Sequence, residues 1–186
     1  MNFYKIKNKN SEGECELSFY KFNSKINKVF EHKNLKDVAY LTEEDYIPGG
    51  MTALYDALGV AIDDTGVYLS NLNEEDRPSK VIVVVITDGE ENSSKEYTLS
   101  TVKDMIKEQE DKYNWTFVYL GIDITNMKDA TSLGINHTAS LSRGMTKGAY
   151  NMLSAVTSNY RNSFLDAEAD MFLSKLLDYT NDEYLK

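Results

Sequence analysis

Six consecutive β-branched residues, Val81-Ile-Val-Val-Val-Ile86, constrain this chain more than any other stretch. The run is far shorter than the roughly 20 apolar residues that a membrane-spanning helix needs. It reads instead as a central strand of a parallel sheet, covered on both faces. The run stops abruptly at Thr87-Asp88-Gly89, a polar turn. Open α/β sheets bind ligands beyond the carboxyl ends of their strands. Asp88 is therefore a candidate functional carboxylate, with Glu90 and Glu91 directly after it.

The rest of the chain supports one globular domain. Its 186 residues are 41% hydrophobic, enough to bury a sizeable core. A net charge of -10 argues against ordinary nucleic-acid binding, which needs a basic surface; such charge usually serves solubility, and the sharper reading is a surface that meets a basic partner or resembles nucleic acid. The one cysteine, Cys15, allows no internal disulfide. The opening residues Met1–Asn10 lack the apolar stretch of a signal peptide, and no segment reaches the length of a membrane span. A cytoplasmic protein without membrane contact is expected.

Alternation over Glu14–Lys21 predicts a strand, which turns at Asn23-Ser24-Lys25 and returns over Ile26–Glu31 as a hairpin. Gly49 and Gly50 permit an unusual backbone path into a helix over Ala53–Leu69. That helix is expected to turn Leu54, Ala57, Leu58, Ala61, Thr65 and Tyr68 inward. A second amphipathic helix carries Leu99, Val102, Met105, Ile106 and Gln109. Trp115–Gly121 reads as a further apolar strand, Thr125–Leu133 as a short helix, and His137–Leu141 as an edge strand. Helical spacing returns over Met145–Tyr160 and again over 165–186. Strands alternating with helices after residue 50 imply an α/β architecture, with the antiparallel hairpin at one edge.

In order along the chain, several segments resemble the von Willebrand factor A (VWA) domain family. Cys15–Phe22 is similar to its second strand, and Gly49-Gly-Met-Thr-Ala-Leu-Tyr-Asp-Ala57 to the G-x-T-x-L-x-x-A entry to a helix. Val84-Val-Ile-Thr-Asp-Gly-Glu-Glu-Asn92 is similar to its fourth strand and TDG turn, and Val118–Asp123 to the next strand. The resemblance spans residues 1–164, with 165–186 as a helical extension. It implies a three-layer, Rossmann-like fold around a mostly parallel sheet. It also implies a metal-ion-dependent adhesion site, to which Thr52 and Asp88 correspond.

The family's first strand and its D-x-S-x-S metal loop have no counterpart before Cys15. In the family that strand is central, between the strands matched here at Cys15 and Val81. An unpaired buried backbone group costs about 1–3 kcal/mol. Two bare facing edges of roughly six residues each would cost on the order of 10 kcal/mol, comparable to the stability of a whole domain. Three resolutions are open: direct pairing of the flanking strands, a second copy of the chain, or a strand from another protein. A homo-oligomer or a closed-up sheet is favoured here.

Mg²⁺ takes six oxygens in near-octahedral array. Thr52 and Asp88 supply two, so no resident metal, or only weak Mg²⁺ binding, is expected. Without metal, Thr52 reads as the N-cap of the helix beginning at Ala53, and Asp88 as a turn residue. Glu90, Glu91, Asn92 and Ser93 are near enough in sequence to offer substitute oxygens. No Walker loop, zinc-protease or nucleophile-elbow motif occurs, and His32 and His137 have no catalytic spacing around them.

Three functions are in contention. The leading one is a non-enzymatic protein-interaction module of remodelled VWA type, which binds or inhibits a partner through Gly50, Thr52, Asp88, Glu90 and Glu91, with Glu43-Glu44-Asp45 on the same acidic face. The second is a metal-dependent binder whose D-x-S-x-S strand comes from another chain. The third is a Mg²⁺-dependent phosphohydrolase using Asp88 and Asp123.

Overall fold

The computed structural model describes residues 14–39, 49–122, 127–141 and 171. It is of mixed α/β class. Strands β1 (Glu16–Phe22) and β2 (Ile26–Asn34) form an antiparallel hairpin, and helix α1 (Leu54–Asn71) follows. Then β3 (Val81–Thr87), α2 (Leu99–Tyr113), β4 (Trp115–Ile122), α3 (Met127–Leu133) and β5 (His137–Leu141) alternate. β3, β4 and β5 make a three-stranded parallel sheet in that spatial order. The elements agree with the sequence periodicity to within about two residues at most ends. The helix expected over Met145–Tyr160, the one over 165–186 apart from the single helical residue Met171, and Asp123 lie outside the described residues. No described helix is long and apolar enough to cross a membrane.

Leu54, Leu58 and Ile62 of α1, Val102 and Ile106 of α2, and Ala130 and Leu133 of α3 pack with Val85, Trp115, Phe117 and Tyr119 into one core. The inward face of α1 differs from the one expected: Ile62 is buried, while Ala61, Thr65 and Tyr68 are half-buried. Tyr68 faces the hairpin instead, stacked on His32 with ring centroids 3.5 Å apart and donating to Glu16 Oε2 at 2.8 Å. His32 carries a positive φ of 49°, and the hairpin register shifts twice opposite Leu17–Tyr20, each time with the extra residue in β2. Such bulges bend and twist a strand. Asp64, one turn earlier in α1, joins the same seam through an ion pair with Lys28.

Two expectations about the sheet are corrected. β3 is not the central strand among the described residues. β4 is, and it is buried from Trp115 to Gly121, whereas only Val85 and Thr87 of β3 are buried. The hairpin and β3 also do not pair with each other; they belong to separate sheets. The reason is anchorage. The hairpin is tied to one flank of α1 by Tyr68 and Asp64, while the sheet packs on the neighbouring face through Leu54, Leu58 and Ile62.

Candidate functional site

The segment entering α1 and the turn leaving β3 meet at the carboxyl end of the sheet. Gly49 and Gly50 take φ values of 148° and 93°, the left-handed side of backbone space that glycine allows without strain. This path brings Thr52 against Gly89, where a Cβ on Gly89 would collide with the Thr52 hydroxyl. Thr52 and Asn92 then exchange two hydrogen bonds. The Thr52 N–H donates to Asn92 Oδ1 at 2.8 Å, and the Asn92 N–H donates to the Thr52 carbonyl at 3.0 Å.

Thr52 is not the N-cap of α1. That position falls to Ala53, which makes no side-chain cap bond. The opening N–H groups of an α-helix have no partner within the helix. Here side chains some 40 residues away supply them. The Tyr55 N–H donates to Glu91 Oε2 at 3.0 Å, and the Asp56 N–H to Ser94 Oγ at 3.1 Å. A carboxylate at this end of a helix also meets the favourable end of the helix dipole.

Glu91 is the hub of this arrangement. Its Oε1 accepts from the N–H groups of Ser93 and Ser94, at 2.9 and 2.8 Å, and its Oε2 also accepts from Ser94 Oγ at 2.7 Å. Its own N–H donates to Asp129 Oδ2 of α3 at 2.9 Å. Burial pushes the Glu91 carboxyl up, but these donors outweigh burial and hold it below its ordinary range. Asp56 is the reciprocal element on α1. Its carboxylate is buried and accepts from the N–H groups of Lys95, Glu96 and Tyr97 at 2.8–2.9 Å. Burial again raises this carboxyl, and the three backbone donors bring it below its ordinary range. Tyr97 then lies across Gly59, where a Cβ would strike the ring, and donates to Asp63 at 2.6 Å. That bond, followed by burial, pushes the Tyr97 phenol up to about 12.

The five residues singled out in the sequence are thus brought close together but divided in state. Gly50 shapes the backbone, Thr52 is half-buried against Gly89, and the Glu91 carboxylate is fully engaged. Asp88 and Glu90 are exposed. The acidic stretch Glu43-Glu44-Asp45 lies outside the described residues. Three further features escaped sequence reading. Asn92 and Ser94 act as anchors rather than as donors to a ligand. Met51, next to Thr52 in the chain, is an apolar side chain that is 53% exposed. Among the described residues the buried Tyr119 hydroxyl and Ser93 Oγ find no hydrogen-bond partner, and burial, with Asp129 nearby, raises the Tyr119 phenol. The Gly-Gly signal before the helix marked Met51 only by position. Nothing in the sequence distinguished Glu91 from Glu90.

This donor set does not fit a resident Mg²⁺. The oxygens of Glu91 and Asn92 are already taken, and among the described residues no three Asp, Glu, His or Cys side chains gather to hold an ion. No family model matches this chain, and no curated protein or solved structure matches it either.

Proposed function

We propose that this chain is a non-enzymatic protein-interaction module, a remodelled VWA-like domain. It docks a basic partner on the loops at the carboxyl end of β3. The observation that carries this reading is the division between the acids of one loop. Glu91 is spent on holding the loop to α1, while Asp88 and Glu90 stand exposed on the platform this creates. Exposed carboxylates on the turn that packs on Thr52, with Met51 exposed next to Thr52 in the chain, supply the acidic and apolar chemistry of a small docking patch. Neither hydrolysis nor metal binding draws support from the groups described. The phosphohydrolase reading leans on Asp123, which lies outside the described residues.

The test is fluorescence anisotropy of a labelled peptide of alternating Lys and Ser, titrated with the full chain at low and high salt. D88N/E90Q is expected to weaken binding about threefold to tenfold at low salt, the scale of two exposed ion pairs. M51S should weaken it further. If the double variant binds as tightly as the parent, the peptide is held by diffuse charge and the assigned face is wrong.

A further inference from the structure

The two edges of the parallel sheet are built differently. β5 spans five residues, His137-Thr-Ala-Ser-Leu141, three of them polar. That is how natural sheets end: short and polar. β3 spans seven residues, and six of them are Val or Ile. It has no proline, charge or bulge. Its register with β4 is unbroken from Val81↔Trp115 to Thr87↔Gly121. Among the described residues nothing bonds to its outer edge. An exposed, regular, apolar edge of this kind is an aggregation hazard unless a strand covers it.

The surrounding contacts also give a direction. β1 starts at Glu16, which Tyr68 holds near the end of α1. It finishes at Phe22, and the next residue, Asn23, accepts from the Ala53 N–H at 2.7 Å at the start of α1. β3 finishes at the same place, because the turn after it packs on Thr52. β1 and β3 therefore run the same way, both opposed to α1, yet are not bonded to each other.

We propose that the outer edge of β3 is a strand-acceptor site. Its occupant is an apolar strand from a separate polypeptide, running parallel to β3 and carrying basic residues at its carboxyl end. Backbone pairing supplies affinity in this mode, and side-chain pockets supply selectivity. A parallel strand ends beside Asp88 and Glu90, so lysine or arginine there meets opposite charge. A second copy is the poorer occupant. Each copy carries a net charge of -10, so two copies repel rather than attract each other. The inference rests on reading the chain as a protein-binding module and names the form of its partner.

The experiment is hydrogen exchange with mass spectrometry on the full chain. The probe is a synthetic peptide repeating Lys80–Thr87 and ending in two added lysines. The control is the same peptide with alternate backbone amides N-methylated, which keeps the charge and removes strand donors. The expected result is exchange at 81–87 that is fast in the chain alone and about tenfold slower with saturating probe. The control should leave it fast. Four outcomes overturn the proposal. Exchange already slow in a monomer means that the chain covers its own edge. Protection that grows with chain concentration, with a doubled mass by light scattering, makes a second copy the occupant. No protection by the probe leaves the edge without acceptor function. Equal binding of probe and control, with 81–87 still fast, shows that the lysines alone carry the contact, which sinks the strand and leaves the docking face standing.

Discussion

β3 and β4 lie side by side, register-paired residue for residue, and both read as apolar strands. Yet β4 is covered from Trp115 to Gly121 while β3 is mostly half-exposed. The difference teaches that an unbroken β-branched run reports what a strand is suited to, not how many neighbours it has. β4 has β3 on one side and β5 on the other; β3 has only β4 among the described residues. A second contrast lies just past the end of β3. Glu91 is bound on both oxygens, and Glu90, one residue before it, is exposed. Identical side chains serve scaffold and surface.

The largest effect should come from the covered strand. Phe117→Ala in β4 is expected to cost about 3–5 kcal/mol in urea unfolding. The like-for-like test uses the register partners Val118 and Val84. Val118→Ala should cost about 2–3 kcal/mol and Val84→Ala about 1. Equal losses would mean that β3 is as covered as β4 in solution, and the contrast would fail.

Asp56→Ala comes next. It removes the charged acceptor of three backbone donors in the 95–97 segment, and a hydrogen bond to a charged group contributes about 1.5–3 kcal/mol. A loss of about 3 kcal/mol is expected, with faster exchange at Lys95–Tyr97. A loss under 1 kcal/mol would show that the seam between α1 and this loop contributes little.

The paired acids sharpen the second contrast. Glu91→Gln puts an amide donor where the carboxylate accepts from N–H groups on both sides, and should cost about 1–2 kcal/mol. Glu90→Gln should stay within about 0.5 kcal/mol and act only on peptide binding. Reversal of that order would exchange the two roles.

The smallest effect is on pH. Asp56 and Glu91 are both lowered in the folded chain, from ordinary values of 3.8 and 4.5. The unfolded chain therefore binds protons more readily on the acid side. Their contribution is complete above those ordinary values and is lost as pH falls through the lower folded ones. Urea midpoints should be flat above about pH 5.5 and decline below about pH 4.5. The decline should be shallower in Asp56→Ala, which lacks one of the two groups. An equally steep decline in that variant would assign the acid limb to other carboxylates.

Much of the fold was legible because local chemistry dictates it. Alternation in Leu17–Lys21, helical spacing in Leu99–Ile106 and the positive-φ glycines before α1 each leave a local signature. The inward set of α1 was only partly legible. Helical periodicity offers a broad apolar stripe, and the neighbours choose within it; Tyr68 went to the hairpin because His32 and Glu16 were there to receive it. At the candidate site, the meeting of Thr52 with the turn at Gly89 was readable as two motifs. The Thr52–Asn92 exchange and the Glu91 hub were not, because they join positions about 40 residues apart and no local pattern marks them.

The sequence by itself determined the class of the molecule: alternating strands and helices, a polar turn after an apolar run, an acidic balance and a glycine-shaped entry to α1. These follow from side-chain volume, backbone freedom and charge, which each residue carries with it. Only the tertiary structure decided that, among the described residues, β4 rather than β3 is central and the hairpin stays apart from the parallel sheet, and that Glu91 is bound while Asp88 and Glu90 face outward. Burial and hydrogen-bond satisfaction belong to pairs of groups, and the chain must close long loops before those pairs exist.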